Sequence, residues 1–158
     1  MRGIEPVAPP DSWASSPAVR RSMRGNRSRD TTPERALRSA LHALGLRFRV
    51  DARPVPGIPR RADVVLGADR VAVFLDGCFW HGCPEHFRPP ATNAGYWTAK
   101  IAGNRARDAS TTALLEAAGW VVIRCWEHEP TPVAARRVLA SIILVRERDR
   151  RMLPRGVA

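Results

Sequence analysis

The sequence has few of the features that mark secreted, membrane-spanning or disulfide-bonded proteins. It has three cysteines, an odd number that does not suit a disulfide framework. No run of residues approaches the roughly 18 apolar residues that a membrane span needs. Residues 1–20 lack the apolar segment of a signal peptide. We therefore expect a cytoplasmic protein in which clustered cysteine and histidine bind a metal ion.

Lysine is nearly absent, because Lys100 is the only lysine among 26 basic residues. Arginine therefore supplies almost the whole excess over 15 acidic residues, and the formal net charge is +11. This balance favours a polyanionic partner over a small neutral substrate. DNA, RNA and an acidic membrane surface all fit the charge alone.

The chain is predicted to contain one folded domain with a basic segment at each end. Residues 1–30 combine proline, serine and arginine with little apolar periodicity, which predicts a flexible basic arm. Residues 31–147 have the apolar periodicity of a folded domain, and residues 148–158 form a basic C-terminal tail. A length of 158 residues suits one domain with a core of its own.

The periodicity within the domain predicts the order αβββαβ, followed by a C-terminal helix. The first helix begins at a cap formed by residues 31–34 and ends at Gly45. A long helix over residues 95–118 is expected to break or bend near Gly103. Strands are expected at residues 46–50, 62–66, 71–75 and 120–126, with a hairpin joining the second and third. The order predicts a layered α/β fold.

Cysteine and histidine are concentrated between residues 78 and 86 and again at residues 125–128. Zinc in structural sites prefers four sulfur or nitrogen ligands in a tetrahedron, and it stabilises loops that are too short to bury a core. The first segment supplies Cys78, Cys83 and His86. The fourth ligand is either Cys125 or His128. We favour His128, because it lies just past the strand, whereas Cys125 lies within an apolar run and suits the core.

Four further residues are candidates for phosphodiester hydrolysis. Asp63 begins an apolar strand just after Arg60 and Arg61, where a carboxylate is costly unless it binds a cation or caps a loop. Glu34 and Asp76 could supply further metal or water contacts, and His81 could act as a general base. Each also has a structural interpretation: Glu34 as a helix-start charge, Asp76 as a turn residue and His81 as part of the zinc loop.

Motifs over residues 20–130 resemble those of the very short patch repair (Vsr) endonucleases. They are Met23-Arg24, Arg29-Asp30-Thr31, Pro33-Glu34, Val55-Pro56-Gly57, Ala62-Asp63-Val64-Val65, the run from Phe74 to Pro84, Tyr96-Trp97, Lys100-Ile101, Asn104, Gly119-Trp120 and Trp126-Glu127-His128. The resemblance implies a restriction-endonuclease-like fold with a mixed sheet flanked by helices. It also implies a structural Zn²⁺ and Mg²⁺-dependent nicking of double-stranded DNA, 5′ of the thymine of a T:G mismatch left by 5-methylcytosine deamination.

Carried over by position, the resemblance assigns roles to individual residues. It makes Asp63 the metal-binding aspartate, His81 the catalytic histidine and Glu34 the residue that orders water. The DNA contacts that it implies are Met23, Arg24, Phe79, Trp80, Trp97, Lys100 and Asn104, and the zinc ligands are Cys78, Cys83, His86 and His128. The aromatic members would wedge into the base stack beside the mismatch; the alternative is that they only pack under the zinc loop.

The sequence departs from the family at Leu75-Asp76, where some members carry a Thr-His pair. Asp76 is therefore expected to bind metal in place of that histidine, while Leu75 could still offer its backbone carbonyl to Mg²⁺. Because one mismatch has no two-fold axis, we expect a monomer. Two alternatives stay open: a restriction-like nuclease without mismatch dependence, and a zinc module that binds DNA without cutting it.

Overall fold

The computed structural model describes residues 29–152. Within them the elements follow the predicted order: α1 (Thr32–Ala43), β1 (Arg49–Ala52), β2 (Ala62–Leu66), β3 (Val71–Asp76), α2 (Ala94–Ala117), β4 (Val121–Trp126) and α3 (Thr131–Met152). Met23 and Arg24 of the expected arm lie outside the described residues. No helix in the described part of the chain is both long and apolar enough to cross a membrane.

The four strands form one mixed sheet in the order β1-β2-β3-β4. The first three strands are antiparallel, with the expected hairpin between β2 and β3, and β4 runs parallel to β3. Val64 belongs to a core shared with α1 and α3, whereas its neighbour Val65 packs with Leu115 of α2 on the other face. The sheet is therefore covered on both faces, which explains why β2 and β3 are nearly continuous apolar runs. This is the helix-flanked, restriction-endonuclease-like architecture that was predicted.

Helix α1 begins as its sequence predicts. The side chain of Thr31 caps the helix by accepting a hydrogen bond from the Glu34 N–H at 3.4 Å, and the Thr31 hydroxyl donates to Glu34 Oε1 at 3.0 Å. Pro33 follows in the first turn, where its missing N–H costs nothing. Gly45, with φ of +78°, ends the helix in the left-handed conformation.

Several elements differ from the prediction, most clearly β1, α3 and α2. Strand β1 begins at Arg49, and Leu46 is a buried core residue that precedes it. Helix α3 continues to Met152, so residues 148–152 of the expected tail are helical. Helix α2 runs unbroken through Gly103, because buried side chains anchor it on both sides of that glycine. The predicted break in α2 was therefore wrong: packing outweighs the roughly 1 kcal/mol that a glycine costs inside a helix.

Candidate active site and zinc centre

The site lies where β3 and β4 end. The two strands are parallel and end level with each other, since Asp76 pairs with Trp126. The 77–93 loop and the segment after β4 therefore start from the same edge of the sheet. Two hydrogen bonds hold them together: the Glu127 N–H donates to the Asp76 carbonyl at 2.9 Å, and the Cys78 N–H donates to Glu127 Oε1 at 2.6 Å.

The four expected zinc ligands converge at this edge. Ligand atoms of Cys78, Cys83, His86 and His128 all lie within 4.8 Å of one another. Cys78 Sγ lies 3.1 Å from His128 Nδ1, and Cys83 Sγ lies 3.7 Å from the Nδ1 atoms of both histidines. Zinc bonds of about 2.0–2.3 Å place tetrahedral ligands about 3.3–3.8 Å apart. The spacing and the two-sulfur, two-nitrogen donor set therefore fit zinc.

Cys125 does not belong to this group. It lies within β4, is 1% exposed and packs in the core shared with α1 and α3. Burial raises the pKa of its thiol to about 11. Burial raises the pKa of the Cys78 thiol to about 11 as well, so it is the core position of Cys125, and not its pKa, that separates it from the ligand candidates. The structure thus groups His128, and not Cys125, with the other three candidates.

The 77–93 loop packs on one face of α2 through three contacts. A Cβ atom on Gly82, whose φ is +63°, would lie 2.7 Å from Ile101 Cγ2, so only glycine fits there. Asn104 Nδ2 donates to the Trp80 carbonyl at 2.8 Å. Asp108 receives the third contact, from His81. These α2 residues are spaced by three and four positions, which places them on one helix face.

His81 belongs to a network of charged side chains. Its Nδ1 atom lies 2.5 Å from Asp108 Oδ2 and 3.6 Å from Asp76 Oδ1. Arg124 joins the two carboxylates: its Nε donates to Asp76 Oδ2 at 2.7 Å, and its Nη2 lies 2.6 Å from Asp76 Oδ1 and 2.9 Å from Asp108 Oδ1. The four side chains line an open cleft of about 420 Å³, together with Arg105.

Asp63 has an unfavourable electrostatic environment. Its Oδ2 accepts a hydrogen bond from the Leu75 N–H at 2.7 Å. Burial is the main cause that raises the pKa of Asp63 from 3.8 to about 6, and the carboxylates of Glu34 and Asp76 raise it further. A divalent cation would offset this excess of negative charge, and carboxylate oxygen is the ligand that Mg²⁺ prefers. The environment of Asp63 therefore fits the expected ion.

Glu34 and Asp76 are both buried and engaged within the protein. Glu34 is 6% exposed; its Oε2 accepts from the Asp30 N–H at 2.9 Å and from Arg38 Nη2 at 2.7 Å. Asp76 is 5% exposed and has both oxygens on Arg124. Neither side chain is grouped with Asp63 into a cluster of three ligands among residues 29–152.

The aromatic candidates pack against one another. The Phe79 ring centroid lies 5.2 Å from those of Trp80 and Trp97, both in edge-to-face geometry. Trp97 is only 7% exposed, whereas Phe79 and Trp80 are partly exposed. Trp97 is therefore the buried ring against which the other two pack, and Phe79 and Trp80 are the rings that a ligand can reach.

The two remaining DNA-contact candidates differ in whether their side chains are hydrogen-bonded within the protein. Lys100 is exposed on α2. Asn104, by contrast, uses its amide nitrogen on the Trp80 carbonyl, and its Oδ1 accepts from Arg107 Nη1 at 2.9 Å. Asn104 thus holds the loop that carries Trp80.

Two residues of the network, Asp108 and Arg124, were not among the sequence-based candidates. Asp108 had no local signal, because an aspartate on an exposed arginine-rich helix segment is ordinary. Arg124 had one: it interrupts the apolar strand Val121–Trp126, where a charge is costly unless paired.

The chain is similar in sequence to a known family and to several known proteins. The sequence model of the family described as DNA mismatch endonuclease Vsr matches residues 15–86. The type II nicking enzyme V.NaeI of Lentzea aerocolonigenes is 47% identical over 124 residues, covering 77% of this chain and 75% of the relative. V.XorIIP, a type II nicking enzyme of Xanthomonas oryzae pv. oryzae, is 42% identical over 122 residues, or 76% and 88% of the two chains.

The DNA mismatch endonuclease Vsr of Escherichia coli K12 is 39% identical over 108 residues, covering 68% of this chain and 67% of the relative. These relatives share more than a third of the aligned residues with this chain over at least two thirds of their length, and they are named as type II nicking enzymes or as a DNA mismatch endonuclease. The chain therefore belongs to the Vsr family of DNA endonucleases.

Proposed function

We propose that this endonuclease nicks one strand of a duplex at a T:G mismatch, on the 5′ side of the thymine, in very short patch repair. The observation that carries the proposal is the position of Phe79 and Trp80, which are partly exposed and directly precede His81 on one loop. Aromatic side chains that enter the base stack exploit the lower unstacking cost at a mismatch. Because the same loop carries these rings and His81, the candidate general base, insertion of the rings at a mismatch couples recognition to cleavage.

The chemistry follows from Asp63 and His81. Asp63 would hold Mg²⁺, with the Leu75 carbonyl as a second oxygen ligand, and the bound ion would stabilise charge on the phosphodiester. His81 takes a proton from the attacking water at Nε2, because Asp108 occupies its Nδ1. Glu34 orders water near Asp63, and Asp76 adds negative charge that favours a cation.

A structural Zn²⁺ is the second part of the proposal. Cys78, Cys83, His86 and His128 would hold it. Their positions fix both ends of the loop that carries Phe79, Trp80 and His81. The ion supplies stability and does not take part in the reaction.

The expected DNA contacts place the basic arm and α2 on the duplex. Arginines of residues 1–30, including Arg24, would bind phosphates together with Lys100. Met23 would enter from the groove opposite to Phe79 and Trp80, with Trp97 and Asn104 supporting those rings. A monomer suffices, because the mismatch is asymmetric.

A nicking assay on paired duplexes tests the proposal. With Mg²⁺, the protein should nick the T:G duplex and leave the matched T:A duplex largely intact. Trp80→Ala should reduce the preference for the mismatch more than the single-turnover rate of bound T:G DNA. The matched control is Phe87→Ala, which removes another ring, 5.8 Å from Phe79, that has no expected role in the base stack.

Two outcomes would contradict the proposal. Equal nicking of both duplexes would favour the alternative of a restriction-like nuclease without mismatch dependence. Full activity in Asp63→Ala would remove the proposed active site, because that variant lacks the carboxylate that anchors the cation.

A further inference from the structure

Arg124 is a charged residue in an apolar strand, and stability alone does not explain it. Its neighbours Ile123 and Cys125 are buried, and its guanidinium carbon lies 5.1 Å from the centroid of the Phe74 ring. Its Nη1 is buried and has no hydrogen-bond partner within residues 29–152. A buried donor without a partner is unfavourable, and apolar side chains often stabilise a protein as well as a buried ion pair does.

The other two nitrogens of Arg124 are fully engaged. Nε and Nη2 bind the two oxygens of Asp76, and Nη2 also lies 2.9 Å from Asp108 Oδ1. The second oxygen of Asp108 is the atom that lies 2.5 Å from His81 Nδ1. Arg124 therefore contacts one oxygen of Asp108 while His81 contacts the other. The two-point contact with Asp76 fixes the plane of the guanidinium and hence the direction of the Nη2 contact to Asp108.

Arg124 also keeps two carboxylates close together. Asp76 Oδ1 and Asp108 Oδ2 lie 3.6 Å and 2.5 Å from the same His81 nitrogen. A carboxylate oxygen of Asp76 and one of Asp108 lie within 4.8 Å of each other, and two negative charges at this separation repel each other unless a cation lies between them. Without the guanidinium, Asp108 would move away from Asp76, and its hydrogen bond to His81 would lose its present geometry.

We propose that Arg124 is the positioning residue of the active site: by holding Oδ1 of Asp108, it directs Oδ2 to His81 and keeps the imidazole protonated at Nδ1, with Nε2 free to accept a proton. The proposal rests on the proposed function in one respect, namely that His81 acts as the base in DNA cleavage. It goes beyond that function by assigning a role to a residue that neither the resemblance nor the strand pattern had placed in the site.

The first test reads the His81 tautomer directly and needs no substrate. Nitrogen-15 NMR of the zinc-loaded protein, at mildly alkaline pH, distinguishes protonated from unprotonated ring nitrogens; the His81 signals are those lost in His81→Asn. We expect protonation at Nδ1 alone in the natural sequence. In Arg124→Met this pattern should be lost, with protonation shifting to Nε2 or to both nitrogens.

The second test is kinetic, and Arg146→Met is its matched control. Arg146 makes the same kind of two-point contact, with Asp69 at 2.6 and 3.1 Å, but lies on α3 outside the cleft. Arg124→Met should slow single-turnover cleavage on the order of 10²-fold, the lower range for a general base, while DNA affinity changes little. Arg124→Lys, which keeps the charge between the carboxylates, should recover part of the rate. Arg146→Met should leave both the tautomer and the rate unchanged.

Several outcomes would overturn the proposal. An unchanged His81 tautomer in a folded Arg124→Met protein would show that Asp108 does not need Arg124. Lost DNA affinity with an unchanged rate would make Arg124 a DNA contact. If neither Arg124 variant folds while Arg146→Met does, Arg124 is a stability residue. Equal cutting of matched DNA would refute only the mismatch specificity, because every comparison can then be made on the matched duplex.

Discussion

The carboxyl group of Asp63 should destabilise the metal-free protein at neutral pH, and Asp63→Asn should remove that cost. Its pKa of about 6, raised from 3.8 by burial and by the carboxylates of Glu34 and Asp76, measures the cost. One pKa unit corresponds to about 1.4 kcal/mol, so the ionised group costs about 3 kcal/mol. Asparagine keeps an oxygen that can accept the hydrogen bond from the Leu75 N–H. The free energy of unfolding of Asp63→Asn should therefore be about 2–3 kcal/mol higher above pH 6.

The pH dependence has a definite sign. Because the folded-state pKa of Asp63 lies above 3.8, protons bind more tightly to the folded chain. The resulting stability is fully present below pH 3.8 and is lost as the pH rises through about 6. The difference between Asp63→Asn and the natural sequence should thus be near zero below 3.8, grow up to about 6 and then level off. The comparison is made over the pH range in which both chains keep their zinc and remain folded, so the difference isolates Asp63.

Urea unfolding, followed by tryptophan fluorescence without divalent cations other than zinc, measures this difference. Asp149→Asn is the control, because Asp149 is exposed on α3, and its substitution should change stability little at any pH. Identical pH profiles for Asp63→Asn and the natural sequence would refute the reasoning, since the carboxyl group would then not lie in a buried, negative environment.

Mg²⁺ provides the second half of this test. Above pH 6, Mg²⁺ at 100 times its dissociation constant should stabilise the natural sequence by about 2.7 kcal/mol and should not stabilise Asp63→Asn. Equal stabilisation of both chains would place the ion elsewhere. The group of Asp76, His81 and Asp108, whose ligand atoms lie within 4.8 Å of one another, would be the alternative site.

Three further substitutions test the zinc centre and the helix that supports it. Cys83→Ser should lose both zinc and fold. Cys125→Ser should keep stoichiometric zinc by elemental analysis, and its free energy of unfolding should fall by about 1–3 kcal/mol because a hydroxyl is buried in the core. Zinc loss in Cys125→Ser alone would reverse the ligand assignment. Gly103→Ala should raise the free energy of unfolding by about 0.5–1 kcal/mol in urea titrations, because no atom lies within 4 Å of the added Cβ and α2 is continuous there; a loss of stability would contradict the unbroken helix.

The parts of the fold that could be predicted are those with a strong local pattern. Strand β2 has its predicted bounds because an apolar run lies between Arg61 and Gly67, a charged residue and a turn residue. The start of α1 followed from its cap. The break expected at Gly103 was wrong because the low helix propensity of a glycine is only a local effect. Ile101 and Thr111 are both buried and anchor α2 before and after Gly103.

Some residues of the candidate site could be predicted from a local sequence pattern, and others could not. The clustering of the four zinc-ligand candidates was predictable because three of them lie within nine residues, and the parallel pairing of β3 and β4 brings His128 to them. Asp108 was not predictable. It joins His81 only because α2 packs against the 77–93 loop, a long-range contact that depends on Gly82 and Ile101 and has no signature in the neighbouring sequence.

Arg124 has a local sequence signal of the same kind as Asp63. Strands β2, β3 and β4 each contain one charged residue in an otherwise apolar run: Asp63, Asp76 and Arg124. Asp76 binds Arg124, and its charge raises the pKa of Asp63, so the three interact at one end of the sheet. A charge inside a buried strand is costly, and functional sites are where such departures from local rules are expected. Each charge has a local signal in its strand, but only the antiparallel pairing of β2 with β3 and the parallel pairing of β3 with β4 bring Asp63 and Arg124 to one end of the sheet.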